Sequence, residues 1–177
     1  MLERLSSLST RLLGALTLRA TVLAVFATAL VAFLDVPLEG PAAPYGIVSF
    51  ELAGTPNRAL AILVEWRTNQ AIGHAKLILI VDYLYMLIYG GFFVLLSLWL
   101  GAHRGDHVWH LRAARASVLA VAFDVLETSV LLFEVLRFSS PSPYPQLAAA
   151  FATAKFALLL VPIGYALVSA VALVRSR

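Results

Sequence analysis

Residues 121 to 134 read VAFDVLETSVLLFE, a stretch apolar enough to cross a bilayer that nevertheless carries Asp124 and Glu127 one helical turn apart near its middle. Ionisable groups at bilayer depth are costly and are kept facing a protein interior, a partner charge or a water-filled cavity. A helix formed by this stretch therefore needs neighbours. Asp82 in a second apolar run and Lys155 in a third are the groups positioned to meet it.

The remaining composition agrees with a membrane protein. Of the 177 residues, 61% are hydrophobic and only 13% charged, and the mean hydropathy is +0.89; these values lie outside ordinary soluble domains and within the polytopic class. Several spans in so short a chain leave little for a second domain, so one compact unit is expected. Cysteine is absent, which excludes a disulfide framework, thiol nucleophiles and cysteine-based metal or cluster sites. The formal charge of +3 does not point to nucleic acid, because the cations flank the apolar runs.

Taken outward to the N-terminus, MLERLSSLSTRLLGALTL places Leu2, Leu5, Leu8, Leu12 and Leu16 at helical spacing. This predicts an interfacial amphipathic helix that continues into a first span over about 16–36. A basic start, an apolar run and Ala27-Thr28-Ala29 also fit a cleaved signal peptide, although the apolar run continues past that site. Residues 37–75 form the longest polar segment, irregular at first because of Pro37, Gly40, Pro41 and Pro44 and followed by FELAG at 50–54. Thr55-Pro56-Asn57 pairs an N-cap with a proline at the first helical position and starts a short helix over about 56–68. Its apolar stripe is read as Ala59, Leu60, Leu63, Trp66 and Ile62, with Trp66 at a membrane interface.

The second span is expected over about 76–100, with Asp82, Tyr85 and Tyr89 on one face and Gly90-Gly91 permitting close helix approach. A basic connection from Gly101 to Arg115 leads to a third span over about 116–136. The proline-stiffened turn at 137–145 precedes a fourth over about 147–174, where Pro162 predicts a kink. Placing both termini and the 101–115 connection on one side collects Arg4, Arg11, Arg19, Arg104, Arg112, Arg115, Arg175 and Arg177 there, against Arg58, Arg67 and Arg137 opposite. The positive-inside rule then puts both termini in the cytoplasm and residues 37–75 outside.

With a rise of about 1.5 Å per residue, Asp82, Lys155 and Glu127 lie roughly 9, 12 and 14 Å below the outer boundary, and Asp124 one turn deeper. A buried polar cluster follows, in which Lys155 neutralises one carboxylate and Tyr85, Tyr89, Thr128 and Tyr165 satisfy remaining lone pairs. Glu51, between Phe50 and Leu52, is expected to fold over the cluster, Glu134 to face the FELAG loop, and His74 to stand at the mouth of the second span. Three readings stay open: structural pins that set helix register, a ligand pocket, and a proton or ion path. His103, His107 and His110 have helical spacing but lack the acid of a metalloprotease motif. No catalytic signature, resident metal or cofactor is expected.

The order of FELAG, Trp66, the LxxxDYLYxxxYG-like run holding Asp82, the D-x-x-E-T turn and Lys155 resembles a group of small bacterial integral membrane proteins of uncharacterised activity. In that group the turn reads D-x-x-E-N, so Thr128 exchanges an amide contact for a hydroxyl one. The resemblance implies that Glu51, Trp66, Asp82, Asp124, Glu127 and Lys155 share one site. Four-span pockets that bind sterols or amphipathic amines through buried acids share the architecture, which by itself carries no function. The expectation is thus an all-α, four-helix bundle in a bacterial inner membrane, with the bilayer as its partner. It would bind a small hydrophobic or amphipathic ligand; the alternatives are a non-catalytic subunit or assembly factor of a larger membrane complex, or proton-coupled transport or acid–base chemistry on a lipid-soluble substrate. A homo-oligomer through Gly90-Gly91 or the 56–68 helix is compatible with each.

Overall fold

The fold is taken from a computed structural model that describes residues 9–105 and 108–175. It is all-α, and no strand occurs among the described residues. Six helices follow in order: α1 (Thr10–Asp35), α2 (Gly46–Glu51), α3 (Pro56–Thr68), α4 (Ile72–Arg104), α5 (Trp109–Arg137) and α6 (Tyr144–Arg175), with a 3-10 turn at Val36–Leu38. The four helices α1, α4, α5 and α6 are each long and apolar enough to cross a membrane. Large apolar residues stand exposed along all four: Phe26 and Phe33 on α1, Leu84 and Leu87 on α4, Leu126 and Leu136 on α5, Leu160 and Leu167 on α6. Buried positions include Thr17, Ser97, Ser117, Asp124, Glu127, Glu134, Lys155 and Ser169. A water-soluble bundle has the opposite arrangement, so the solvent these helices match is hydrocarbon.

The contacts of the chain group into two compact units. The first comprises residues up to Phe26 with Leu87–Val121 and Lys155–Arg177; the second comprises Ala27–Met86 and Ala122–Ala154. Each long helix contributes one end to each unit, because residues several turns apart on a helix have different neighbours. In the first unit Leu13, Val94, Leu98 and Ala114 form one apolar cluster and Leu100, Ala113 and Tyr165 another. Close approach of α4 to α5 depends on Gly90, where a Cβ would collide with the Val121 side chain; Gly91 has open space around it and plays no such part.

The second unit contains the larger core, built where α2 and α3 pack on helix ends. Thr55 caps α3 as its spacing predicts, its hydroxyl accepting from the Arg58 N–H at 3.4 Å. The buried stripe of α3 is Ala59, Ile62, Leu63 and Trp66, whereas Leu60 is exposed. Trp66 does not lie at an interface. It is 1% exposed, meets Phe50 edge-on at 5.1 Å and donates its indole N–H to the Leu38 carbonyl at 2.8 Å.

Several boundaries differ from the sequence expectation. The FELAG stretch is not a loop throughout, since Phe50 and Glu51 are the last turn of α2. Residues 101–104 and 109–115, read as a connection, are helical, leaving a link of a few residues between α4 and α5. Helix hydrogen bonding continues beyond the hydrocarbon because polar side chains there do not interrupt it. α6 runs unbroken through Pro162. Of the expected N-terminal amphipathic helix, residues 1–8 lie outside the described part, and Thr10 onward is continuous with the first span.

Two helix ends are closed without glycine. At the end of α3, Gln70 adopts φ 57°, and the Ala71 and Gln70 N–H groups donate to the Trp66 and Arg67 carbonyls. Phe138, at φ 49°, does the same for α5, with Ser139 and Phe138 N–H groups donating to the Glu134 and Val135 carbonyls. Both are Schellman closures, which satisfy carbonyls that a helix end otherwise leaves without donors.

Candidate functional site

On α5 the residues Ser117, Ala120, Asp124, Glu127, Leu131 and Glu134 are spaced alternately three and four apart, and all are at most 2% exposed. This is the seam spacing of packed helices. Its occupants are unusual. Instead of the leucines and valines that pack such seams, three carboxylic acids stand on it, while Val118, Leu119, Val125, Leu126 and Phe133 face outward. Thr128, also buried, is next to the seam and donates its hydroxyl to Asp82 Oδ2 on α4 at 2.7 Å. Further along α4, Tyr83 and Ser129 share a hydroxyl–hydroxyl bond of 2.8 Å, and Tyr85 shares one of 3.2 Å with Thr28 of α1.

The structure places the residues singled out in the sequence as follows. Asp82 and Thr128 are joined directly, and Asp124 and Glu127 share their stripe with Thr128 adjacent. Glu51 is buried at the end of α2. Trp66 is a core residue with its one N–H donor directed to Leu38. His74 is exposed in the first turn of α4. Lys155 and Tyr89 are buried and belong to the first unit; the Lys155 Nζ stands 4.8 Å from the centroid of the Phe156 ring. Of the histidines, His103 donates its Nδ1–H to the Trp99 carbonyl at 2.9 Å and His110 is buried against Gly101, while His107 lies outside the described residues. Among the described residues, no three His, Asp or Glu side chains converge as a metal site.

Sequence reading underrated three acids. Glu134 is fully buried, and among the described residues its two carboxylate oxygens accept no hydrogen bond, although the buried Ser140 hydroxyl lies beside it. Its position seven residues after Glu127 was the available signal. Asp35 and Glu65, to which sequence reading assigned no role, hold parts of the 36–54 segment in place. Asp35 Oδ1 accepts from the Ile47 N–H at 2.8 Å, and Glu65 Oε2 accepts from the Ala42 N–H at 2.8 Å. The glycines that admit these carboxylates, Gly46 and Gly40, have no room for a Cβ beside them.

A buried carboxyl beside which the Ser140 hydroxyl makes no well-formed hydrogen bond is a net cost to folding. Replacing Glu134 by methionine, of similar length, is therefore expected to stabilise the protein by about 1–4 kcal/mol, read as a higher midpoint in a detergent-denaturation titration. A Glu134→Met protein less stable than the parent would sink the inference that this acid is held at a folding cost.

No protein-family model, curated protein or solved structure matches the chain.

Proposed function

We propose that this chain is a bacterial inner-membrane protein, with both termini in the cytoplasm, that binds a small amphipathic ligand through the acidic seam of α5. The observation that carries this reading is the full burial of Asp124, Glu127 and Glu134 on a single stripe, with Asp82 braced by Thr128 on the adjoining helix. Intramembrane acids are expensive to keep, and packing alone is served better by apolar side chains of the same volume. Carboxyl groups in such a setting select a ligand head that donates hydrogen bonds or carries positive charge, while the surrounding apolar residues suit a hydrophobic body. The orientation rests on the distribution of lysine and arginine among the segments outside the spans.

Native mass spectrometry of gently extracted protein tests the reading. Wild type is expected to carry a stoichiometric small molecule, and Asp124→Asn and Glu127→Gln to lose it while retaining parental helicity and thermal melting. Loss of one charge-assisted hydrogen bond corresponds to at least about tenfold weaker binding. Folded variants that keep the same adduct would overturn the proposal. So would a wild type that carries no small molecule and co-purifies with a stable protein partner, the behaviour of an accessory subunit.

A further inference from the structure

Charge is distributed unevenly between the two units. The described residues of the first carry Arg11, Arg19, Arg104, Arg112, Arg115, Lys155 and Arg175 and no aspartate or glutamate, whereas the second holds the acids discussed above. Within the first unit Arg104, Trp109, Val161, Gly164, Tyr165 and Val168 line a groove of about 440 Å³, within the size range of small-molecule sites, roughly 300–1,000 Å³. Val161 and Val168 are also exposed on the outer face of α6, so the groove opens sideways onto the surface that matches hydrocarbon. Its floor is open at Gly164, where a Cβ would meet no atom within 4 Å.

The groove is apolar along its length and cationic at one end. Arg104 Nη1 donates to the hydroxyl of Ser169 at 3.0 Å; Ser169 is fully buried on α6, so this bond ties the guanidinium to the helix that forms the groove wall. Arg112 lies with its Cζ 4.7 Å from the centroid of the Trp109 ring, placing a second guanidinium against one of the residues that line the groove. Among the described residues neither arginine pairs with a carboxylate. Trp109 is largely exposed, as a tryptophan at the headgroup level is.

We propose that this groove seats one acyl chain of an anionic phospholipid, whose phosphate is held by Arg104 and Arg112. Charge complementarity selects the occupant. A chain without a phosphate leaves the two guanidinium groups unmatched, free phosphate leaves the apolar groove empty, and a zwitterionic lipid brings an ammonium group into a region that has only positive charge among its described residues. Basic pockets between membrane helices at the cytoplasmic end are a known setting for anionic headgroups. The inference is independent of the ligand proposed for the α5 seam, since it uses none of the acids.

The test is native mass spectrometry of the purified full chain, delipidated and titrated with phosphatidylglycerol or phosphatidylcholine of identical acyl chains. Each arginine near an anionic headgroup is worth about fivefold in affinity, so wild type is expected to favour phosphatidylglycerol by about 25-fold. Arg104→Gln should reduce that preference about fivefold. Gly164→Leu sends a side chain into the groove from a position where a Cβ meets no atom within 4 Å, and should abolish retention of the first bound lipid while leaving the thermal melt unchanged. Equal affinity of wild type for the two lipids would overturn the proposal, as would a Gly164→Leu protein that melts normally and retains phosphatidylglycerol. Should Gly164→Leu fail to fold, the Arg104→Gln preference decides: an undiminished ratio rejects the site.

Discussion

Trp66→Ala is expected to lower the stability of the protein by about 3–5 kcal/mol, the range for truncating a fully buried large aromatic side chain. The indole occupies the centre of the second unit's core, with Phe50 edge-on at 5.1 Å, and Ile62, Leu63 and Leu131 buried in the same cluster. Aromatic truncation removes those contacts and leaves a cavity that the short helices α2 and α3 cannot wholly close. The hydrogen bond adds a separable part. Trp66→Phe keeps most of the ring but leaves the Leu38 carbonyl without its indole donor, at a cost of about 1–3 kcal/mol. Denaturation by sodium dodecyl sulfate, followed by circular dichroism, measures both. Equal losses in the two variants would mean that the bond to Leu38 accounts for the whole effect, and no loss in either would remove Trp66 from the core.

Gly46→Ala is expected to be nearly as damaging, for two reasons that can be separated. Gly46 has φ +52°, where a non-glycine residue is strained by about 1–3 kcal/mol. In addition, its Cβ would stand against the Asp35 carboxylate, which accepts the Ile47 N–H at 2.8 Å. Displacing that carboxylate loses a hydrogen bond to a charged group, worth about 1.5–3 kcal/mol. Asp35→Ala alone loses the bond without the backbone strain. In the double variant the collision has already been removed, so the combined loss should fall short of the sum by at least ~1 kcal/mol. Simple additivity in the same denaturation assay would show that the two residues act independently and that the carboxylate is not what requires glycine at this position.

These two cases mark where sequence reading stops. The N-cap at Thr55 and the helix after Pro56 were legible, because capping is decided by residues three apart on one chain. The exposure of Leu60 was not, because it is as apolar as Ile62 and only the direction from which α2 and the helix ends approach selects between them. In the same way Trp66 fits an interface or a core equally well until Leu38 is known to offer it a carbonyl. The helical state of 101–104 and 109–115 is not legible in the sequence, because basic residues mark where hydrocarbon ends, which differs from where backbone hydrogen bonding ends.

For the candidate site the division is similar. Asp124, Glu127 and Glu134 fall on one face by spacing alone, and an apolar helix with acids on one face must bury that face. That Thr128 meets Asp82, that Glu134 is entirely enclosed beside Ser140, and that Arg104 is held by Ser169 at the mouth of a groove depend on how separate helices are rotated about their own axes. Rotation is set by the sum of many weak contacts along each helix, none of which a local pattern encodes. By itself the sequence determined an all-α chain with four helices able to cross a membrane and with acids on an inward face, since hydropathy, helical period and the cost of charge in hydrocarbon act within each segment. Only the tertiary structure decided which side chains meet, because meeting requires two segments to agree on register and rotation at once.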